Sequence, residues 1–361
     1  MKILIVQDYL RSGGTERQSV LLANAFSAAG HATTLLTFRP GGPLRATLTP
    51  AVPRLALQQS DTRLDWYAPK LAATARQFAP DIILCMGRMA NCYAGRLQRA
   101  LQTSSVIATM RTGKSLPLLF RRSLHRVQHI VANSHEARSV LTGRHGVQNE
   151  KISVIYNSLV FPAVINAARN ETLRNQHGAT AHTTILLCVA MFRHEKNQRE
   201  LIETAATFPT GLDWQLWLAG DGPSRESCEK LVAIRQLGDR VIFPGFLRDP
   251  SPLYLAADIA VHASTSESLS NFLIEAQAHG LPAVAYAAQG ISETFIPGQT
   301  GWEISRGDRN AFRERIRGLA NESNEARRSR AADARLFARS TFDPSRQVAR
   351  YLELFERLRQ S

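Results

Sequence analysis

The sequence predicts an α/β protein made of two doubly wound, Rossmann-like halves. Short β-branched runs alternate with stretches of helical spacing along the whole chain, the pattern of parallel strands joined by crossover helices. The alternation comes in two series, separated by a polar stretch with weak strand signals at Phe161–Thr184. At 361 residues the chain is too long for one ordinary domain and comfortable for two.

Lys2–Val6 (KILIV) is a short apolar run bounded by turn residues, so it reads as a buried parallel strand. Thr15–Ala29 places Val20, Leu21, Leu22, Ala25 and Phe26 at helical spacing, and Gly30 stops that helix. Thr33–Phe38 is the next strand. Ile82–Met86, Val106–Met110, Ile130–Ala132 and Ser153–Ile155 continue the first series. Between two of them, Leu116–Ile130 (LPLLFRRSLHRVQHI) reads as an amphipathic helix carrying Arg121, Arg122, His125, Arg126 and His129. The second series runs through Ile185–Ala190, Trp214–Ala219, Val241–Phe243, Ile259–His262 and Ala283–Tyr286. Pro344–Gln360 closes the chain as an amphipathic helix. These elements divide the chain into domains at 1–162 and 163–343, with a linker near Phe161–Val164. A final helix at 344–361 is expected to pack back toward the first domain. Ligands of such sheets sit at the carboxyl ends of the strands, and two facing domains would make a cleft there.

The formal net charge is +14, and its distribution is uneven: residues 1–160 hold 20 Lys and Arg against 7 Asp and Glu. A basic first half suits an anionic partner, such as a phosphorylated acceptor or an anionic membrane face. Nucleic acid fits poorly, because no recognition motif or aromatic-interleaved basic strand is present. The four cysteines form no C-x-x-C or zinc-ligand spacing, which favours a reducing compartment. The apolar start Met1–Val6 breaks at Gln7-Asp8, too early for a signal-peptide core, and the longest apolar run, Ile185–Phe192, is far short of a membrane span. A cytoplasmic protein, or one peripheral to the inner face of the cytoplasmic membrane, is expected.

The most informative segment is Ser264–Tyr286 (STSESLSNFLIEAQAHGLPAVAY). Glu267 follows the strand Ile259–His262; Ser270 or Asn271 caps a helix, which Gly280 ends. Glu275 then lies one turn inside. The N–H groups around Leu269, Ser270, Asn271 and Phe272 form a helix N-terminus suited to a diphosphate. A carboxylate one turn away can accept hydrogen bonds from both ribose hydroxyls, and one in the loop can hold sugar hydroxyls. Upstream, Phe192-Arg193-His194-Glu195-Lys196-Asn197 follows the first strand of the second series, where two cations can neutralise a leaving diphosphate. Gly13-Gly14 precede the first helix, where glycine allows close backbone approach. Gly113-Lys114-Ser115 is no P-loop, because the required upstream glycine position is Ala108.

The segment Ser264–Tyr286 resembles the E-x(7)-E signature of retaining, family 4 glycosyltransferases of the GT-B fold. Ser264, Glu267, Glu275, Ala276, Ala278, Gly280, Pro282, Val284 and Ala285 stand at matching places, with Ser268 where glycine is usual. Ser12-Gly13-Gly14-Thr15-Glu16-Arg17 is similar to the family's first-strand loop, and Arg193–Lys196 to its R-x-x-E-K segment. Leu218–Pro223, Val241–Phe246 and Ser153–Ser158 match further landmarks. One departure concerns a histidine that many relatives carry at the end of a central first-domain strand. Here that strand reads Val106–Met110, and Arg111 stands at about that place.

The resemblance implies a GT-B enzyme, two Rossmann-like domains facing across a cleft, that moves a hexose from a nucleotide sugar. It implies Glu267, Arg193 and Lys196 as catalytic residues. Gly13, Gly14, Gly245, Phe246, Leu269, Ser270, Asn271, Phe272 and Glu275 would join them in holding the donor, with Glu275 on the ribose. Arg88 and Arg111 would face the acceptor. A front-face retaining mechanism follows, with no metal and no cofactor, since no Asp-x-Asp pair is present. UDP-sugar is expected over GDP-sugar. The expected acceptor is a lipid-linked or phosphorylated cell-envelope glycan, as in polysaccharide or lipopolysaccharide synthesis. The rival readings are another GT-B enzyme, such as a sugar-nucleotide epimerase or an inverting transferase, and an inactive nucleotide-sugar-binding protein.

Overall fold

The computed structural model describes residues 1–11, 13–159, 161 and 168–360. The expected linker, Phe161–Val164, lies for the most part outside the described residues. The chain divides into two compact units, Met1–Ser158 with Pro344–Ser361, and Leu159–Asp343.

The first unit is a seven-stranded parallel sheet. Its strands are β1 (Lys2–Gln7), β2 (Ala32–Thr37), β3 (Arg54–Ala56), β4 (Ile82–Cys85), β5 (Ser105–Met110), β6 (His129–Ala132) and β7 (Ile152–Val154), in the order β3-β2-β1-β4-β5-β6-β7. Helices α1 (Gly14–Ala28), α2 (Leu71–Phe78), α3 (Arg88–Ala100), α4 (Leu118–Leu124) and α5 (His135–Gly143) connect them. The strand order reverses beside β1, so both faces of the sheet are covered, which is why β1, β4 and β5 are apolar nearly throughout. The C-terminal helix Pro344–Gln360 buries Tyr351, Leu354, Phe355 and Leu358 in this unit. Phe355 meets Phe26 of α1 edge-on at 5.4 Å, and Gln347 donates to Gln18 Oε1 (3.0 Å) and to the Tyr156 carbonyl (2.7 Å).

At the end of β1, Gly87 makes room for a buried carboxylate. A Cβ there would lie 2.2 Å from Asp8 Oδ1. Asp8 follows β1 and caps α3 from another segment, accepting from Met89 N (2.9 Å) and Ala90 N (2.7 Å). Burial pushes its carboxyl up to about 7, against the pull of those two N–H groups.

The second unit is a six-stranded parallel sheet. Its strands are β8 (Thr184–Val189), β9 (Trp214–Ala219), β10 (Val241–Gly245), β11 (Ile259–His262), β12 (Ala283–Tyr286) and β13 (Gly301–Ile304), in the order β10-β9-β8-β11-β12-β13. The surrounding helices are α6 (Glu171–Gln176), α7 (Gln198–Ala205), α8 (Arg225–Ile234), α9 (Ser251–Ala256), α10 (Asn271–Ala278), α11 (Arg309–Ala320) and α12 (Asn324–Thr341). Strand β11 is central, and its carboxyl end feeds the loop that carries Glu267.

One expected element is corrected. Leu116–Ile130 is not one amphipathic helix: α4 covers only Leu118–Leu124, and His129 opens β6. The apolar run His129-Ile130-Val131-Ala132 fits a fully buried strand between β5 and β7 better than a helix face. Arg121 and Arg122 remain exposed on α4, whereas Arg126 lies beyond it.

His129 is 3% exposed, and its Nε2 is 2.9 Å from Ser153 Oγ. Burial, with Arg357 and Lys151 nearby, pushes its imidazole down to about 4. A base depressed from 6.5 to 4 stays neutral when folded, so unfolding takes up a proton between those values. The stability due to neutral His129 is full above pH 6.5 and is lost as pH falls toward 4. Asp8 titrates in the opposite sense, so the difference between wild type and His129→Gln isolates the effect. Wild type should gain up to roughly 3 kcal/mol on the variant between pH 4 and 7 in urea melts. A pH-independent difference would contradict the buried neutral imidazole.

Candidate active site of the second unit

The site is built where β8 and β11 end side by side. The segment after β8 turns through Arg193 into a 3-10 turn at His194–Lys196, and Asn197 takes a left-handed conformation (φ +52°) at the start of α7. The Glu195 carbonyl accepts from Thr265 N (2.8 Å) and Ser264 Oγ (2.9 Å), which ties this turn to the loop after β11. The tie brings Lys196 and Glu267 together.

Glu267 is 9% exposed and pairs through Oε1 with Lys196 Nζ. His262, at the last position of β11, sets Nε2 3.0 Å from the same oxygen. An ionised carboxylate only accepts, so Nε2 carries the proton. Burial alone would raise the Glu267 carboxyl, but the Lys196 charge and the His262 hydrogen bond outweigh it and hold the group at about 2. Glu267 is therefore a fixed anion within a charge-balanced cluster, and its side-chain bonds to described residues both fall on Oε1.

The helix α10 starts just beyond. Ser270 occupies its N-cap position without a side-chain capping bond, and Leu269, Ser270 and Phe272 are buried while Asn271 is half-buried. Glu275, one turn in, is half-buried and accepts from Tyr254 Oη at Oε2 (2.6 Å). The Tyr254 ring stacks on His279 at 4.6 Å and near-parallel to Phe272 at 6.2 Å. Gly290 lets the loop after β12 lie against this segment: its φ is +72°, and a Cβ would come within 2.0 Å of the Ser268 carbonyl. Ser268, the departure from the family glycine, is thus buried under Gly290.

The other expected donor residues lie as follows. Arg193 is exposed and forms no ion pair among the described residues. Gly245 ends β10 at φ +82°, and Phe246 next to it is 59% exposed. In the first unit, Gly13 is the N-cap of α1 and Gly14 its first residue. A Cβ on Gly13 would lie 2.5 Å from Glu16 Oε2, so the glycine makes room for that carboxylate. Arg88 donates to the Ser115 carbonyl at 2.7 Å. Arg111 donates to Asn157 Oδ1 and, at 2.7 Å, to Tyr351 Oη of the C-terminal helix, so both terminal nitrogens already have protein partners.

Reading the residues alone missed His262 and Tyr254. A polar residue ending the otherwise apolar IAVH strand, five positions before Glu267, was the available signal for His262. Tyr254 sits in SPLYLA, which carries no comparable mark.

Comparison with known proteins agrees with this architecture. The family model described as Glycosyltransferase Family 4 matches residues 12–159, and that described as Glycosyl transferases group 1 matches residues 169–336. N-acetyl-alpha-D-glucosaminyl L-malate synthase of Bacillus anthracis is 26% identical over 251 residues, 69% of this chain and 65% of that enzyme. The lipopolysaccharide core biosynthesis glycosyltransferase LpsE of Rhizobium meliloti (strain 1021) is 30% identical over 144 residues, 40% of this chain and 42% of its own length. The chain thus spans less than two thirds of either curated relative. Anabaena HepE, solved in complex with UDP, superposes with a TM-score of 0.83 at 21% identity, covering 99% of this chain and 100% of HepE. With two parallel sheets of this topology and both family models matched in order along the sequence, the chain belongs to the GT-B glycosyltransferases of the family 4 type.

Proposed function

We propose that the chain transfers a hexose from a nucleoside-diphosphate sugar to a hydroxyl of a cell-envelope glycan or lipid-linked acceptor, with retention at the anomeric carbon. The observation that carries this reading is the buried Glu267 anion, locked by Lys196 and His262 at the end of β11, with Glu275 one turn inside the following helix. Lys196 and Arg193 neutralise the diphosphate as its bond to the sugar breaks. Glu267 Oε2 accepts from a sugar hydroxyl, and Glu275 holds the ribose. Phe246 and Gly245 border the base, and the backbone at Leu269–Phe272 meets the diphosphate. The acceptor oxygen bonds the anomeric carbon on the face the diphosphate leaves, and the leaving phosphate takes the acceptor proton. Positive charge on the ring is stabilised by the departing diphosphate itself, so no protein nucleophile or metal is needed.

UDP is the proposed donor nucleotide, supported by the UDP complex of HepE. The roles of Gly13, Gly14, Arg88 and Arg111 rest on the family resemblance. The acceptor class is supported by the lipopolysaccharide core enzyme among the relatives. No helix among the described residues is long and apolar enough to cross a membrane. We place the enzyme at the inner face of the cytoplasmic membrane, reversibly held by basic residues such as Arg121, Arg122 and Arg126.

The test is a panel of UDP- and GDP-sugars, scored by nucleotide release and by the anomeric configuration of the product. Release of UDP with an α-linked product from an α-donor, unchanged by EDTA, is expected. A strict metal requirement would contradict the mechanism, an inverted product would indicate the inverting transferase, and binding without release an inactive binder. Arg193→Ala should lower kcat more than it raises the donor KM, because its charge matters most as the diphosphate leaves.

A further inference from the structure

The first unit carries a second basic feature that no part of the transfer reaction uses. An open groove of about 530 Å³ runs between the N-terminal turn of α2 and the side of α3. Leu71, Leu97 and several alanines form its apolar lining, and Lys70, Arg96 and Arg99 add three cations. None of the three forms an ion pair with a described residue. Tyr93 also lines the groove, and its hydroxyl donates to the Trp66 carbonyl at 2.6 Å. Trp66 and Tyr67, just before Ala68 and Lys70 of the lining, are 55% and 43% exposed.

Those aromatic rings are displayed on a segment that is itself firmly held. Arg39 forms a two-bond fork with Asp61 and a further bond to Asp65, while Arg11 forks onto Asp65. The Arg39 guanidinium also stacks over Tyr9 at 4.1 Å. An ordered segment that leaves a tryptophan and a tyrosine in water has not buried them elsewhere. Trp and Tyr favour the level of lipid headgroups, where an apolar ring and a polar tip are both satisfied. Cations beside them favour anionic headgroups.

We propose that this groove seats the phosphate headgroup of an anionic membrane phospholipid, with Trp66 and Tyr67 entering the bilayer interface beside it. Lys70, Arg96 and Arg99 surround the phosphate, and the apolar lining meets the glycerol and upper acyl carbons. A soluble phosphate would use the cations and leave the rings and the apolar lining without purpose. The inference deepens, and rests on, the peripheral membrane placement above, but it assigns the contact to different residues.

The test is co-sedimentation of the full chain with vesicles of phosphatidylcholine, alone or mixed equally with phosphatidylglycerol. Wild type should bind the mixed vesicles, with a blue shift in tryptophan emission that Trp66→Phe removes. Each cation removed from the groove should lower the partition coefficient about fivefold. Arg96→Glu with Arg99→Glu should therefore lower it at least about 25-fold. UDP binding by that variant should match wild type, which checks that it folds. Millimolar inorganic phosphate should leave vesicle binding in place; complete release by it would point to a soluble phosphate ligand and overturn the proposal. If the groove variant binds like wild type while Arg121→Glu, Arg122→Glu and Arg126→Glu together abolish binding, the groove assignment falls and the peripheral placement stands. If wild type binds neither vesicle, both fall.

Discussion

Lys196→Ala is expected to lower the rate of sugar transfer about 10²- to 10³-fold, the usual cost of removing one preorganised donor to a developing anion. Two effects combine. In the proposed mechanism the diphosphate loses a cation as it leaves, and Glu267 loses the partner that keeps it ionised and aimed. Lys196 and Glu267 are 26% and 9% exposed, so the pair is largely, not wholly, removed from water. Removing one member of a fully buried pair costs about 3–5 kcal/mol, and the partial exposure of Lys196 puts this site below that range. The sign with pH follows from the shifts. In wild type the Glu267 carboxyl is held at about 2, so its contribution persists above pH 4.5 and is lost only as pH falls toward 2. Without Lys196 burial dominates, the carboxyl rises, and the variant's stability is lost as pH increases. The stability deficit of Lys196→Ala should thus shrink on acidification. Adding Glu267→Ala should recover stability without recovering transfer, since the buried unpaired charge is gone but so is the sugar contact. A double variant as unstable as the single one would remove the ion pair from the account.

Much of the fold is legible in the sequence because parallel strands buried on both faces read as continuous apolar runs. KILIV, ILLCV and WQLWLA are unmistakable in that respect. Arg54–Ala56 and Gly301–Ile304 are not legible: they are short edge strands with little buried apolar surface, so no periodic signal marks them. Leu116–Ile130 misleads because its apolar spacing fits a helix face and a buried strand equally well until the register of β5, β6 and β7 decides. The spacing of Glu267 and Glu275 and the Arg193–Lys196 segment are visible because they are local. Which groups hold those carboxylates is not. His262 reaches Glu267 through the turn of the loop after β11, which its polar place at the strand end only hints at, and Tyr254 reaches Glu275 through the packing of α9 against α10, a tertiary fact with no local spacing. Arg111 shows the converse: its place in the sequence suggests an acceptor contact, while folding supplies Asn157 and Tyr351 as partners.

Glu275→Ala should weaken the binding of UDP by roughly 1.5–3 kcal/mol, the usual worth of hydrogen bonds to a charged group. That is about 10- to 150-fold in Kd. The geometry gives the reason for a large effect. Glu275 is one turn inside α10, beyond the N-terminus proposed for the diphosphate, and Tyr254 Oη fixes its Oε2 at 2.6 Å. The tyrosine is itself clamped between His279 and Phe272, so the carboxylate is oriented before the nucleotide arrives and loses little rotamer freedom on binding. Tyr254→Phe keeps the ring stack and removes only the hydroxyl. It should therefore weaken UDP less than Glu275→Ala does, by less than about tenfold for one neutral donor. Titration calorimetry with UDP and with deoxy-UDP lacking the ribose 2′-hydroxyl separates the roles. Wild type should prefer UDP, and Glu275→Ala should bind the two nearly alike, because the group proposed to read the ribose is gone. If Glu275→Ala lowers the melting temperature yet leaves the Kd and the ribose preference intact, Glu275 is a packing residue of α10 and the nucleotide is held elsewhere.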